Sequence, residues 1–208
     1  RRVMVRAEYA GCGKSFACKA MEARGLKVLF VCPTNKLVQN NRENGVTLNQ
    51  FFGVGMSEDG VLTRISKFDD SPYQVVVFDE IYFASVRMLA KIKRYCELNP
   101  DKIILATGDT DQLETIDLVS DRLNYDTYMN HCIDTIFPTG VRLRENKRLK
   151  GAADKAILQQ FKAEIFNPEI PIETTVKKWF KTTKEIKTSN NIAFKNATCA
   201  EGCRSAPN

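Results

Sequence analysis

The sequence predicts an α/β fold in which a parallel β-sheet is flanked by helices. Four apolar runs rich in β-branched residues are expected to form strands, and segments with helical periodicity lie between them. Strands that alternate with helices are typical of βαβ units, whose strands run parallel and whose helices cover both faces of the sheet. The run QVVVF is apolar enough for a central, fully covered strand. The predicted strands are residues 3–6, 27–32, 74–78 and 102–106.

Two segments between these strands have the spacing of amphipathic helices. Residues 15–24 are expected to form one helix and to end near Gly25, a residue suited to a helix C-cap. Residues 84–98 repeat apolar side chains at three- and four-residue steps until Asn99-Pro100 stops the helix. The repeated residues are Val86, Leu89, Ala90, Ile92 and Tyr95. The expected apolar face of the first helix consists of Phe16, Lys19, Ala20 and Ala23.

The pattern changes after residue 109, and the tetrapeptide 137–140, Phe-Pro-Thr-Gly, indicates a boundary. We therefore predict a first domain of residues 1–140 and a linker with a partial second domain in residues 141–208. Within the second segment, residues 152–166 are predicted as an amphipathic helix and residues 191–196 as a strand. One strand is not a complete domain, and the sequence opens without a methionine. A fragment of a longer chain with additional domains is the resulting expectation.

The net charge of +6 is unevenly distributed. Residues 1–140 hold 17 Lys and Arg against 18 Asp and Glu, whereas residues 141–208 hold 14 against 7. A basic segment beside a neutral domain is compatible with a polyanionic partner such as nucleic acid. A solvated, lysine-rich surface explains the charge equally well.

Cysteines, histidine and hydropathy exclude several classes of protein. The seven cysteines have no framework spacing, and single buried thiols of a reduced, intracellular protein explain them best. Cys199 and Cys203 have no second pair to complete a zinc site, and His131 is the only histidine, so a metal centre built on imidazole is excluded. No apolar run approaches the roughly 18 residues of a membrane helix. We therefore expect no membrane partner.

The stretch AEYAGCGKSF, residues 7–16, has the features of a phosphate-binding loop. Backbone N–H groups of such a loop cradle phosphate oxygens, while Lys14 reaches the β- and γ-phosphates and the Ser15 hydroxyl binds Mg²⁺. Glu8, however, stands where the pattern has its first glycine, and taken alone Gly-Lys-Ser could occur by chance. The candidate nucleotide contacts are Ala10, Gly11, Cys12, Gly13, Lys14, Ser15 and Phe16.

Carboxylates follow two further predicted strands. Asp79 and Glu80 come directly after the run VVVF, at the edge where parallel sheets bind their ligands. An Asp there can hold Mg²⁺ and an adjacent Glu can accept a proton from an attacking water. Asp109 and Gln112 follow the next strand, and the Gln112 amide can both donate and accept beside a γ-phosphate or a water. Each segment alone also reads as an ordinary polar turn.

In order and rough spacing, these segments resemble the motifs of superfamily 1 helicases. AGCGKS resembles motif I, VVVFDEIYFAS resembles motif II, and GDTDQL resembles motif III. Ile81 and Tyr82 replace the small residues often found in motif II. The order and close spacing of the motifs look most like the viral and RecD-like branches of the family. The expected location is intracellular, in the cytoplasm or nucleus, or in the host cell if the protein is viral.

Four other segments extend the resemblance. LRENKRL resembles motif IV, with Lys147 in place of an aromatic residue and Arg148 matching an arginine that reaches the γ-phosphate. GVTLNQFFG resembles motif Ib, with Asn49 where many relatives have histidine. The remaining two are VLFVCPTNKLVQN, which resembles motif Ia, and NIAFKNATC, which resembles a strand early in the second domain, with Lys195 where threonine is common.

The resemblance implies a RecA-like domain and the start of a second one, with ATP bound between them and a single nucleic-acid strand, DNA or RNA, crossing both. It implies ATP and Mg²⁺ as cofactors, with Ser15 and Asp79 as the metal ligands. The implied catalytic residues are Lys14, Asp79, Glu80, Gln112 and Arg148. The implied nucleic-acid contacts are Pro33, Thr34, Asn35, Lys36, Thr47, Asn49 and Phe52. For Phe51 and Phe52 core packing is the alternative, and we expect it for at least one of them.

An ATP-dependent helicase or translocase is therefore the leading hypothesis. On this hypothesis the chain is a truncated piece that carries motifs I to IV, and we expect the piece itself to be poorly active. A P-loop kinase or stand-alone NTPase is the second, although GDTDQL argues against it. The third is a helicase-like domain with weak turnover that serves as a scaffold for nucleic acid or protein. The departures at Glu8, Ile81, Tyr82 and Lys147 motivate it, whereas retention of Lys14, Asp79 and Glu80 opposes it.

Overall fold

The computed structural model describes residues 1–8, 11–40, 44–56, 62–109 and 125–180. The chain divides into two compact units, Arg1–Leu149 and Lys150–Asn208. The strands of the described residues are β1 (Arg2–Ala7), β2 (Val28–Cys32), β3 (Gly45–Thr47), β4 (Val54–Met56), β5 (Leu62–Arg64), β6 (Val75–Phe78), β7 (Ile103–Gly108) and β8 (Thr139–Leu143). The helices are α1 (Lys14–Lys19), α2 (Asn35–Asn40), α3 (Leu48–Phe52), α4 (Val86–Leu98), α5 (Tyr125–Ile136), α6 (Ala152–Ile165) and α7 (Ile172–Trp179).

Within the described part of the first unit, six strands form one parallel sheet in the order β3-β2-β6-β7-β1-β8. Every residue of β2 and β6 is buried, as expected for central strands made only of apolar residues. Strands β4 and β5 form a separate antiparallel pair. The α/β fold and the parallel sheet predicted from the sequence are confirmed.

Both faces of the sheet are covered, because alternate residues of the central strands belong to two different apolar clusters. On one face, Phe78 and its neighbours pack against α3, α4 and α5. On the other face, Val77 and its neighbours pack with Cys18 of α1 and with partly buried residues of α2. This alternation is the period of two that an extended chain imposes on its side chains.

The four predicted strands agree with β1, β2, β6 and β7 to within two residues at each end. The first predicted helix does not agree as well. It ends at Lys19, and a short 3₁₀ turn, Glu22–Arg24, follows it before Gly25 adopts a left-handed conformation with φ of 81°. The predicted apolar face is wrong, because Phe16 is 79% exposed and the buried residue of the helix is Cys18.

The predicted helix of residues 84–98 corresponds to α4, with the 3₁₀ turn Ile81–Phe83 before it. The Ser85 hydroxyl caps this helix by accepting a hydrogen bond from the Met88 N–H at 3.3 Å. Leu89, Ile92 and Tyr95 are buried against the sheet. Ala90, which was expected on the same face, is exposed.

The boundary expected at residues 137–140 falls inside the sheet. Strand β8 begins at Thr139 and pairs in parallel with β1, so the chain still belongs to the first unit after the Pro-Thr-Gly sequence. The division between the two units lies between Leu149 and Lys150. Proline and glycine here mark the entry into an edge strand, a position at which the sheet tolerates them.

The described part of the second unit is a pair of helices, α6 and α7. The Trp179 indole N–H donates to Glu164 at 2.8 Å, and Lys178 forms an ion pair with the same carboxylate at 2.6 Å. The Phe161 ring packs edge-on against Trp179 and Phe180. Helix α6 agrees with the helix predicted for residues 152–166, whereas the strand predicted for residues 191–196 lies outside the described residues.

Four of the five cysteines that the structure describes are buried, in agreement with the expectation of single buried thiols. Cys199 and Cys203 lie outside the described residues. None of the helices in the described ranges is long and apolar enough to cross a membrane. The described residues also contain no group of three or more His, Cys, Asp or Glu side chains arranged to hold a metal ion.

Gly108, at the end of β7, provides a test of the packing at the edge of the sheet. A Cβ atom at this position would lie 2.5 Å from the Tyr82 ring. The ring cannot easily move aside, because the Tyr82 hydroxyl is hydrogen bonded to Arg6 and Asn130. We expect Gly108→Ala to lower the free energy of unfolding by about 1–3 kcal/mol, the usual cost of overpacking. Urea denaturation measures the difference.

Gly140→Ala is the matched control in β8 of the same sheet. A Cβ atom there meets only the Arg6 guanidinium group, at 3.4 Å, which is an ordinary van der Waals contact, so this variant should unfold close to the wild-type midpoint. Equal midpoints for Gly108→Ala and Gly140→Ala would contradict the packing described for Tyr82.

Candidate active site

The register of the sheet brings three strand ends together. Arg6 of β1 is paired with Gly108 of β7, and Phe78 of β6 is paired with Ala106 of β7. The segments that follow these strands therefore start side by side at one edge of the sheet. They are the glycine-rich loop after β1, the pair Asp79-Glu80 after β6 and Asp109 after β7.

The described part of the glycine-rich loop owes its conformation to two glycines. Gly11 and Gly13 both have φ of 86°, a left-handed conformation that residues with a Cβ atom rarely adopt. Gly13 precedes α1, and its carbonyl accepts the hydrogen bond from the Ala17 N–H at 2.9 Å. The loop consequently leads directly into the helix that carries Lys14 and Ser15.

Lys14 and Glu80 form an ion pair that joins the loop to the end of β6. The Lys14 Nζ atom lies 3.2 Å from Glu80 Oε1, and the two side chains are only 10% and 16% exposed. Burial raises the pKa of Glu80 above its usual range, and the charge of Lys14 opposes part of this rise. Glu80 also has φ of 50°, which is the single positive value among the described non-glycine residues. Strain of this kind is common at functional positions.

Asp79 is buried and is held by a residue of the neighbouring strand. The Thr107 hydroxyl donates a hydrogen bond to Asp79 Oδ1, and its oxygen accepts one from the Glu80 N–H at 3.3 Å. Thr107 itself has no exposed surface. A single threonine of β7 thus fixes both the carboxylate of Asp79 and the backbone of Glu80.

The segment after β8 contacts the glycine-rich loop. The Lys147 N–H donates to the Gly11 carbonyl at 2.9 Å. A Cβ atom on Gly11 would lie 2.8 Å from the Cβ atom of Arg148 and 3.5 Å from its Nε atom. Arg148 therefore lies beside the loop.

The predicted nucleic-acid contacts lie at the same edge, farther along the sheet. Cys32 of β2 is paired with Thr47 of β3, so the segments that follow these two residues start beside each other. The Thr34 hydroxyl accepts from the Leu37 N–H at 3.4 Å, and Thr47 caps α3 together with Gln50. The exposed residues of the set are Thr34, Asn35, Lys36 and Asn49, and Pro33 and Thr47 are half-buried.

The two phenylalanines of α3 differ in burial. Phe51 is fully buried and packs edge-on against Phe78 and Tyr95, which confirms the expectation that at least one of the pair belongs to the core. Phe52 is partly buried and lies parallel to the Phe78 ring, with 6.3 Å between the centroids. Only part of the Phe52 ring is therefore accessible to a base.

Other predicted residues have mixed outcomes. Cys12 is buried, Ser15 is half-buried and the Phe16 ring is largely in solvent. Ala10 and Gln112 lie outside the described residues. Thr107 and Asn146 were not among the residues predicted for the site. For Thr107, a polar residue inside an apolar strand could have indicated a role at the site.

The described residues offer hard oxygen donors for Mg²⁺. Asp79 supplies a carboxylate at the strand end, and Ser15 supplies a hydroxyl on α1. Mg²⁺ at nucleotide sites is usually held by one or two protein oxygens together with phosphates and water, and this donor set fits that pattern. No larger protein cage is needed.

A parallel sheet with a glycine-rich loop after one strand and carboxylates after two neighbouring strands is typical of a RecA-like α/β domain. No protein-family model and no curated protein matches the chain. Comparison with solved structures nevertheless supports this class of fold.

Several solved structures of Pif1 helicases are similar to this chain. A Bacteroides Pif1 bound to ssDNA matches with a TM-score of 0.53 and 18% identity over 85% of this chain. A Pif1 structure concerned with DNA unwinding at forked dsDNA matches with a TM-score of 0.55 and 19% identity over 81% of this chain. A Bacteroides sp Pif1 in complex with ADP-AlF4 matches with a TM-score of 0.50 and 18% identity over 81% of this chain. At these identities the likeness establishes the fold. The matches cover 45%, 45% and 44% of those chains, so this chain spans less than half of their length.

Thr107 is predicted to stabilise the site through its hydroxyl group. Thr107→Val keeps the shape of the side chain but leaves the buried Asp79 carboxylate without this donor. We expect it to lower the free energy of unfolding by about 1–3 kcal/mol at neutral pH. Urea denaturation of Thr107→Val and of Thr107→Ser, which retains the hydroxyl, makes the comparison.

The serine variant should lie closer to the wild type than the valine variant does. A valine variant as stable as the wild type would show that the hydrogen bond to Asp79 contributes little.

Proposed function

We propose that this chain is the ATP-binding part of a superfamily 1 helicase or translocase that moves along single-stranded nucleic acid. The observation that carries the proposal is the buried ion pair between Lys14 and Glu80. It joins the lysine of a phosphate-binding loop to the carboxylate after β6, which is the arrangement needed to bind a γ-phosphate and activate water beside it. An isolated Gly-Lys-Ser turn would have no reason to form this pair.

Each predicted catalytic residue that the structure describes has a role in the proposed reaction. The loop N–H groups and Lys14 bind the phosphates of ATP, and the phosphates displace Glu80 from Lys14. Glu80 then accepts a proton from the attacking water, a task for which a raised pKa is suited. Mg²⁺ held by Ser15 and Asp79 would neutralise charge on the β- and γ-phosphates. Arg148 stabilises the charge that develops on the γ-phosphate.

Gln112 has a role by resemblance alone. Motif III of superfamily 1 helicases implies that its amide contacts the γ-phosphate or the attacking water. Its position lies outside the described residues.

The proposed nucleic-acid strand crosses the ends of β2 and β3. Exposed groups of Thr34, Asn35 and Lys36 can bind phosphates, and Asn49 lies on the next segment. The Pif1 structures with ssDNA and with ADP-AlF4 have the same fold, which supports both ligands for this chain. The placement in the viral or RecD-like branch remains a prediction.

Efficient hydrolysis requires a second RecA-like domain in this proposal, because ATP binds between two such domains in the family. The second unit of this chain is proposed as the beginning of that domain. The longest available parent chain is therefore the right material for activity measurements.

Lys14→Ala should abolish ATP hydrolysis by the parent chain. The substitution removes the cation that the proposal places on the phosphates, and a loss of about 100-fold or more in kcat is expected when such a charge is lost. The measurement is ATP turnover with and without single-stranded DNA and RNA. Turnover should rise with the preferred strand and fall with salt.

Lys19→Ala, on the same helix, is the control. Its ammonium group lies 5.7 Å from the centroid of the Phe30 ring, on a different side of the helix from the Glu80 contact, so turnover should persist. ATP binding without turnover on any strand would favour a scaffold instead, and turnover indifferent to nucleic acid would favour a stand-alone NTPase.

The pH dependence of kcat/KM should report Glu80. Because burial raises its pKa, the deprotonated form that accepts a proton is lost at a higher pH than for an ordinary glutamate. We therefore expect kcat/KM to increase with pH through an acid limb whose midpoint lies above the usual carboxyl range, since this ratio reports the free enzyme. Measurement from acid to neutral pH, with Mg²⁺ in excess, locates the limb.

Glu80→Gln is the companion variant. It should bind ATP at least as tightly as the wild type, because the amide no longer competes with phosphate for Lys14, but it should not turn over. Substantial turnover by Glu80→Gln would remove Glu80 from the role of base.

A further inference from the structure

Asn146 is a buried polar residue that the proposed reaction does not use. Its side chain is 8% exposed, although its neighbours Lys147 and Arg148 are exposed. Asn146 Oδ1 accepts hydrogen bonds from two successive backbone groups, the N–H of Arg148 and the N–H of Leu149, both at 2.9 Å. One side-chain oxygen therefore closes the backbone turn of residues 146–149.

This turn is in direct contact with the glycine-rich loop. The Lys147 N–H donates to the Gly11 carbonyl at 2.9 Å. A Cβ atom on Gly11 would lie 3.3 Å from Asn146 Oδ1 and 2.8 Å from the Cβ atom of Arg148. The loop and the turn are packed so closely that neither can change conformation at Gly11 without moving the other.

The contact depends on backbone atoms, and Asn146 is the side chain that orders them. Asparagine closes such turns because its short side chain reaches the backbone two and three residues ahead. The conformation it imposes directs the Lys147 N–H towards Gly11 and brings the start of the Arg148 side chain beside the loop. Without the Oδ1 acceptor, both backbone N–H groups would have to find other partners.

We propose that Asn146 is a positioning residue that holds the phosphate-binding loop and Arg148 in one fixed geometry. The proposal rests on the proposed function, because it assigns Asn146 to the same nucleotide site. Asn146 contacts no phosphate itself. It acts through the turn, so that the loop is already shaped for phosphates and Arg148 is already beside them when ATP arrives.

Two pairs of variants test the proposal. Asn146→Ala removes the acceptor, whereas Asn146→Asp retains an oxygen that can accept the same two bonds. Lys147→Pro removes the N–H that binds Gly11, whereas Lys147→Ala retains it and changes only an exposed side chain. Asn167→Ala is the control for loss of a similar turn elsewhere, because Asn167 Oδ1 accepts from the Glu169 N–H at 2.9 Å in the second unit.

The Kd of a non-hydrolysable ATP analogue and the amide hydrogen exchange of Arg148 and Leu149 are measured on the parent chain or on the present chain. The kcat and KM for ATP are measured on the parent chain. Circular dichroism and urea denaturation establish that each variant is folded.

Asn146→Ala should bind the analogue about tenfold more weakly, as expected for the loss of about two hydrogen bonds. Exchange at Arg148 and Leu149 should become faster. The KM for ATP should rise, and kcat should fall because Arg148 is no longer held in place. Asn146→Asp should restore most of the affinity and the slow exchange. Lys147→Pro should bind weakly, while Lys147→Ala and Asn167→Ala should resemble the wild type.

Two results would overturn the proposal. One is an Asn146→Ala variant with fast exchange at Arg148 and Leu149 but unchanged nucleotide affinity and kcat. The other, which decides the matter if Asn146→Ala does not fold, is a folded Lys147→Pro variant that binds the analogue as tightly as Lys147→Ala. A wild-type parent that binds no nucleotide overturns the proposed function, and this inference with it, whereas wild-type binding insensitive to both pairs overturns this inference alone.

Discussion

The common parallel direction of β1, β6 and β7 is the constraint on which the site depends. It brings three polar segments to one edge of the sheet, directly above strands that are buried on both faces. Charges at such an edge are partly removed from water, and each needs a partner because an isolated buried charge is very costly. Lys14 and Glu80 are paired across the gap between two strand ends, and Thr107 holds Asp79. The same pairing that stabilises the fold brings these polar groups together at one edge of the sheet.

The central strands could be predicted from the sequence because their burial appears directly in their composition. The run VVVF of β6 is apolar at every position and is buried at every position. The edge strand β8 could not be predicted in this way, since four of its five residues are exposed and its composition resembles a loop. Its place in the sheet depends on backbone hydrogen bonds to β1, and such bonds cannot be inferred from hydrophobic periodicity. The predicted boundary was consequently placed too early.

The residues of the site were predicted to different extents for a similar reason. Lys14, Asp79 and Glu80 follow strands whose ends the sequence reveals, so their meeting could be expected. Thr107 and Asn146 act by hydrogen bonds to neighbouring backbone or side-chain atoms, and which neighbours they meet depends on the sheet order. The predicted face of α1 was wrong because Cys18, and not Phe16, is the buried residue of the helix. The helix also stops at Lys19, so that residues such as Ala23 no longer continue the same face. A periodic pattern carries information only over the length of one continuous element.

Glu8 departs from the motif at a position where the backbone of this chain does not need a glycine. In the usual loop a glycine stands here, but within the described part of this loop the left-handed conformations occur at Gly11 and Gly13, both with φ of 86°. Glu8 has no positive φ, and its N–H donates to the Leu143 carbonyl at 2.9 Å, which extends the pairing of β1 with β8 by one residue. Any residue with a backbone N–H can make that bond. The position therefore serves the sheet, and the left-handed conformations in the described part of the loop lie at the two glycines nearer to Lys14.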